Sequence, residues 1–328
     1  MTFFRSALGR ALIAFFLVLL LGAIFNADGA FFKLGTHRDT LRQASVYGIL
    51  ACGMTIVILA GGIDLAVGSV MALVAVVFSI LTIHWGWSGF SAIPASLLVG
   101  MLAGSVSGVL SARFRIQPFI ATLAMMVFAR GLAKVSSGGM KVSTAIQDTD
   151  GTYKYVEVPG IFRAIDTRIL WDSVSVVTLI FLACFGMCYF LLSKHILGRY
   201  IYAIGGNEDA ARYSGVPVVG IKVLTYALSG FFAAVAGICQ AAQEQQGDPD
   251  TGAGYELTAI AIVVVGGTSL MGGRGGIGLT FAGMLIIGYL EKILSINAVA
   301  EANRLMLTGL IIIGAVLLQR QNSRTQEN

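Results

Sequence analysis

The chain has 328 residues, 56% of them apolar and only 12% charged, with a mean hydropathy of +0.83. That leaves too little polar surface to cover a soluble globule, so the chain reads as an integral membrane protein. Its net charge of +5 is scattered over many loops without a run of like charges, which argues against a nucleic-acid partner.

Arg5 and Arg10 precede an apolar run from Ala11 to Phe25. The pattern is like that of a signal peptide, but no small-residue cleavage site follows and further spans do, so it reads as a retained first helix. A helix needs roughly 20 apolar residues to cross the hydrocarbon core. By that measure ten spans are expected, at about 8–25, 43–60, 67–83, 92–111, 116–132, 173–192, 220–240, 257–270, 276–294 and 303–319. The expected fold is therefore all-α: a single polytopic membrane domain over 1–328, with about ten transmembrane helices, some broken by glycine.

Ten spans put both termini on one side. The positive-inside rule does not say which, because the 22 basic residues divide evenly between the two faces. The four cysteines, Cys52, Cys184, Cys188 and Cys239, lie in apolar runs without paired spacing, so neither a disulfide framework nor a zinc site is expected. Three scattered histidines, His37, His84 and His195, do not form the convergent set an enzyme needs. His84, beside Trp85 and Trp87, reads as an interfacial anchor.

At the junction of the second and third spans lies Gly61-Gly62-Ile63-Asp64-Leu65-Ala66-Val67-Gly68-Ser69, and at the end of the eighth, Gly266-Gly267-Thr268-Ser269-Leu270-Met271-Gly272-Gly273. Both fit Gly-Gly-x-x-Leu-x-x-Gly after a β-branched run, a match too short to establish duplication. Paired glycines in lipid imply broken helices whose freed backbone groups are buried in protein or line a wet cavity. A carboxylate at Asp64, so close to two apolar spans, is costly unless partnered. Three readings of it stay open: a cap for backbone amides at 65–67, the lining of a solute path, or part of a proton relay. A relay wants a second ionisable group, and none is evident within the spans.

Span four carries Gly100, Gly104 and Gly108, a groove where another helix can approach closely. The longest non-apolar stretch, 133–172, includes Ser137-Gly138-Gly139, Asp148-Thr149-Asp150-Gly151 and Val158-Pro159-Gly160, and reads as an extramembrane loop large enough to dock a partner. A second polar segment, Gln243–Asp250, reads as a solvated face or a partner contact. The loop at 193–219 holds a short helix: Asn207 as N-cap, Glu208 and Asp209 in the first turn, and Gly215 with Pro217 at its end. So short a helix must lean on something. Gly273-Arg274-Gly275-Gly276-Ile277-Gly278 formally satisfies GxGxxG, but between two spans it reads as a tight loop; no GxxxxGK[ST] occurs.

The run Asp209-Ala210-Ala211-Arg212-Tyr213-Ser214-Gly215 resembles the coupling motif of ABC importer permeases, with Asp for the commoner Glu. There the motif is a short cytoplasmic helix that enters a cleft of an ATP-hydrolysing subunit, and two alanines keep it slim. The stretch Gly53–Ser69 is similar to the signature of the ribose-type permeases of bacterial sugar importers, with Ala66 where serine is usual. Ile116–Leu123, Ala203–Asn207, Tyr255–Ala261 and Val264–Thr268 are similar too, so the likeness runs along nearly the whole chain.

The resemblance implies a permease subunit of a binding-protein-dependent importer in the bacterial cytoplasmic membrane, with both termini and the 193–219 loop cytoplasmic and the 133–172 loop external. It implies coupling through Asn207, Glu208, Asp209, Ala210, Ala211, Arg212 and Gly215. It also implies a pathway or broken-helix role for Gly61, Gly62, Asp64, Gly68, Ser69, Gly266, Gly267 and Thr268. The expected partners are a cytoplasmic ATPase, which holds the ATP and Mg that this chain does not, an external sugar-binding protein, and a second copy or paralogue of the permease. The cargo is a monosaccharide or related polyol. A secondary transporter driven by protons or sodium is the rival from another class, and would need no ATPase.

Overall fold

The computed structural model describes residues 7–147, 152–300, 302–311 and 313–314. Arg5, residues 148–151, Arg320 and Arg324 lie outside them, as does the end of the tenth expected span, which is helical over 302–311. The order is α1 (Ala7–Ile24), α2 (Leu34–Leu59), α3 (Val67–Ser79, carried on by a π turn Ile80–His84), α4 (Gly89–Ala112) and α5 (Pro118–Ser136). After an extramembrane segment come α7 (Val176–Ser193), α8 (Ile196–Gly206), α9 (Glu208–Tyr213), α10 (Val218–Glu244), α11 (Tyr255–Gly266) and α12 (Ile277–Ile296). That segment holds two small antiparallel ladders, β1 (Ala145–Gln147) with β2 (Tyr153–Tyr155) and β3 (Arg168–Ile169) with β4 (Val174–Ser175), and the helix α6 (Gly160–Asp166). The chain is thus mostly helical rather than all-α. The exceptions sit in the loop, where backbone groups outside the spans pair locally.

Among the described residues seven helices are long and apolar enough to cross a membrane, and the chain is a multi-pass membrane protein. α2 and α3 are the most buried of them and α10 is next, whereas α4, α5 and α7 bury little of their surface within the chain. The first three thus form the centre, and the others stand at the outside. The groove on α4 is filled by α10. A Cβ on Gly100 or Gly104 would collide with the carbonyls of Gly230 or Tyr226, and one on Gly108 would sit 2.9 Å from Val223 Cα. Only glycine lets the two backbones come so close.

Two expected boundaries move. α2 begins at Leu34, nine residues before the apolar run starts, because its first turns are tied down by polar partners. Arg42 pairs with Asp166, Arg168 with Asp39, and Arg38 donates to Ser173 Oγ at 2.7 Å. The extramembrane segment is therefore clamped onto the start of α2. It is also anchored by Phe162, fully buried and stacked on Phe78 at 5.1 Å. The eighth span, expected over 257–270, ends instead at Gly266, and Gly267 (φ 111°) takes the left-handed conformation. With 12 residues α11 is about 18 Å long, short of the roughly 30 Å core.

The polar segment after α10 is not simply a solvated face. Gly247 pairs with Val142, N–H to O at 2.8 Å in both directions, beside Ala75 and Ser79 of α3. Five residues on, Gly252 abuts Gly68, about two turns further down α3. The chain thus turns back into the protein before α11 starts, so α11 is a half-helix hung from a re-entrant segment. Outside it, Asp248 bonds Lys141 at 3.0 Å, and that hydrogen bond raises the lysine's pKa.

Candidate functional site

Asn207 leaves α8 in extended conformation (φ −162°), and its Oδ1 accepts the Ala210 N–H at 2.9 Å, capping α9. Gly215 (φ 84°) stops the run. The first-turn acids divide their roles. Glu208 turns back onto the chain, accepting from Arg212 at 2.8 Å and Lys222 at 2.9 Å, whereas Asp209 is 79% exposed. The alanines divide too. Ala210 is exposed, but Ala211 is 4% exposed and belongs to the chain's own core. With Tyr213 at 90% exposure, the outward face of α9 is Asp209, Ala210 and Tyr213, so a bulky residue at Ala211 would disturb this chain before any partner.

α9 leans on a junction of glycines. A Cβ on Gly205, two residues before the cap, would collide with the Leu59 carbonyl at the end of α2 and approach the Gly273 amide to 2.6 Å. The Gly273 N–H itself bonds Leu59 O at 3.0 Å. A Cβ on Gly272 would stand 2.9 Å from Gly205 O and 3.0 Å from Gly61 Cα. Tyr202 of α8 adds a hydrogen bond to Gly275 O at 3.0 Å. Both glycine-broken segments therefore meet each other, and the root of α9, through bare backbone. Gly61 (φ 78°), Gly272 (φ 84°) and Gly273 (φ 67°) all adopt conformations that suit glycine.

Past Gly61 and Gly62 the chain climbs back into the protein, and α3 starts only at Val67. Asp64 sits on this climb, 3% exposed. Its Oδ1 accepts the Ala66 N–H at 2.9 Å and its Oδ2 accepts the Ser229 hydroxyl at 2.7 Å, about three turns into α10. The geometry is that of a cap with a second partner, and it pins the break to α10. Gly68, in the first turn of α3, lies against Gly252 and the Glu256 carboxylate, so the starts of α3 and α11 cross at one point. Ser69 is buried beside it. At the other end of α11, buried Thr268 accepts the Gly276 N–H at 3.3 Å and closes the loop that holds Arg274.

Several residues at these sites escaped the sequence reading. Arg130, inside α5, donates to Pro249 O and Thr251 O, both at 2.7 Å, and braces the re-entrant segment. Arg130, Glu256 and Glu291 are ionisable groups within the helical body, where the spans had shown none. An arginine in an apolar run was the visible signal for the first. Gly205 and Gly272 stand in motifs visible in the sequence and Gly252 does not, but none of the three names its partner there, because a close approach is defined only in three dimensions. Among the described residues no group of His, Cys, Asp and Glu is placed to hold a metal ion.

The comparisons with known proteins agree with one another. Residues 38–316 match the family described as branched-chain amino acid transport system / permease component. The ribose import permease of Haemophilus influenzae is 40% identical over 309 residues, covering 94% of this chain and 91% of that protein. The L-arabinose transport system permease of Escherichia coli is 35% identical over 294 residues, 86% of this chain and 81% of that one. The galactofuranose transporter permease of Escherichia coli is 35% identical over 327 residues, 94% and 89%. No solved structure matches the chain. The chain belongs to this permease family and, within it, to the ribose-type permeases of sugar import systems.

Proposed function

We propose that this chain is the membrane subunit of an ATP-driven importer that carries a monosaccharide or related polyol across the bacterial cytoplasmic membrane. The observation that carries the reading is the glycine junction at the root of α9. A push on α9 from a partner reaches the ends of α2 and α11 through backbone contacts that cannot give. From there it bears on the two breaks, and through them on the crossing of α3 and α11. Such a junction converts force on a small exposed helix into displacement of half-helices, without any nucleotide site in this chain.

In this reading the face of α9 bearing Asp209, Ala210 and Tyr213 enters a cleft of a cytoplasmic ATPase, which binds ATP and Mg. The opposite end, with the α6 segment and its exposed Trp171 (98%), receives a sugar-binding protein. A second copy or a paralogue completes the pathway. The ribose, arabinose and galactofuranose systems named above are the models for the cargo.

The test is uptake of radiolabelled D-ribose, L-arabinose or D-galactose into proteoliposomes holding this chain with a sugar-importer ATPase and a sugar-binding protein from the same organism. Uptake that needs all three proteins and ATP supports the reading. Uptake by this chain alone, driven by a proton or sodium gradient, overturns it and favours the secondary transporter.

A further inference from the structure

The half of the molecule away from α9 holds a cavity of about 340 Å³ between α2, α10, α11 and α12, closed on one side by Arg304. That volume is at the lower end of the range for small-molecule sites, roughly 300–1,000 Å³. Its depth follows from the helices. Tyr47 stands about 18 Å above the Leu59 end of α2, Gln240 and Gln243 lie in the last turns of α10, and Tyr255 opens the half-helix α11. The cavity therefore opens among the ends of α2, α10 and α12 away from α9, where the re-entrant segment hands over to α11.

The wall is built for hydroxyl groups. Amides at Gln43, Gln240 and Gln243 line it; Gln240 Nε2 donates to Glu244 Oε1 at 2.6 Å and Gln243 Nε2 to Arg42 O at 3.4 Å, so each of these two keeps its carbonyl oxygen and a second N–H for a solute, and Glu291, bonded to Tyr47, keeps further acceptor capacity. Tyr47 and Tyr255 face each other at 4.7 Å between ring centroids, an apolar edge with two polar tips. Glu244 and Glu291 stand against Lys292 and Arg304, and Arg42 is already paired with Asp166, so no field of one sign selects an ion. Arg304 lines the cavity too, and its Nε is buried with no hydrogen-bond partner among the described residues.

We propose that this cavity is a binding site for one uncharged polyhydroxylated solute of monosaccharide size, a station on the path where Gln240, Gln243 and Glu291 replace water around the hydroxyls. The proposal rests on the function proposed above, since it names where in the chain the cargo pauses. It also excludes an aliphatic amino acid as cargo, because a wall of amides and carboxylates would leave its polar groups unpaired against a hydrocarbon side chain.

The experiment uses the full chain in lipid nanodiscs. All four native cysteines are buried, so Ser295→Cys, on the cavity rim, gives a thiol that stands apart for a membrane-impermeant methanethiosulfonate reagent. Labelling is timed with D-ribose, L-arabinose, D-galactose, D-mannitol or L-leucine present. At a concentration twice the dissociation constant, a bound solute slows labelling about threefold. The expected result is slowing by at least one sugar or polyol, none by L-leucine, and loss of the slowing when Gln240→Leu is added while the unprotected rate stays the same. No slowing by any of them overturns the site, slowing by L-leucine alone overturns the ligand class, and slowing that survives Gln240→Leu moves the solute elsewhere. Failure here with ATP-dependent sugar uptake intact in proteoliposomes removes the cavity and leaves the importer; failure of that uptake removes the importer itself.

Discussion

Gly205 lies against the carbonyl of Leu59, so the last turn before the capped helix α9 touches the last turn of α2 with no side chain between them. That one contact joins the most exposed element of the chain to one of its most buried ones. Gly205→Ala forces the two apart, and overpacking of this kind costs about 1–3 kcal/mol. Uptake in the reconstituted importer should fall about tenfold or more, as roughly 1.4 kcal/mol in one conformational state would give. Gly206→Ala, whose methyl would meet nothing within 4 Å, should transport almost as well as the parent. Equal uptake by the two variants would dismiss the junction as a transmission point.

Ala210 and Ala211 separate docking from folding. Ala210→Arg places a long side chain on the exposed face of α9, so the chain should keep its thermal midpoint and lose stimulation of the partner ATPase. Ala211→Arg drives a charge into a buried position and should lower the midpoint or prevent accumulation, since an unpaired buried charge costs several kcal/mol. Thermal unfolding in detergent, read beside ATPase rates, decides. If Ala211→Arg is as stable as the parent, α9 is not seated as described.

Asp64 contributes acceptors in its fold, and its charge is a separate matter. Asp64→Asn keeps an oxygen for the Ala66 N–H, and the Ser229 hydroxyl can turn to accept from the new amide, so the loss should be about 1 kcal/mol or less. Asp64→Leu strands both groups and should cost about 1–3 kcal/mol or more. Transport that disappears in Asp64→Asn while the thermal midpoint holds would mean the charge itself is needed and would reopen the proton relay.

Arg130 holds the re-entrant segment by two carbonyls on one guanidinium nitrogen. Arg130→Met should destabilise the chain by about 2–3 kcal/mol, the worth of hydrogen bonds to a charged group. It should also speed amide exchange over 247–255 more than elsewhere. Arg130→Lys should recover only part of this, because an ammonium on a different stem does not reproduce the reach of the guanidinium. Uniform exchange along the chain in Arg130→Met would show that the segment is held by something else.

Much of this architecture is legible in the amino-acid order because lipid imposes simple demands. Long apolar runs mark most of the crossing helices, and paired glycines mark both breaks, at Gly61-Gly62 and Gly266-Gly267. Asn207, Gly215 and Pro217 bracket α9, because capping is a local event between residues three or four apart. The start of α2 was missed by nine residues since Arg38, Asp39 and Arg42 look like loop until Ser173, Arg168 and Asp166 appear beside them. The half-helix α11 was drawn too long because hydropathy runs on past Gly266 while the backbone does not.

The order of residues by itself settled that the chain lives in a bilayer, where its helices must break, and which short helix is capped and stopped between two apolar runs. These follow from hydrophobicity, backbone freedom and capping, all of which act within a few residues. The folded structure alone decided that Leu59, Gly205 and Gly273 share one junction, that Gly68 crosses Gly252, and that Arg130 reaches Pro249 and Thr251. Those contacts join residues far apart in the sequence. A glycine carries no mark of which distant backbone will come to rest against it.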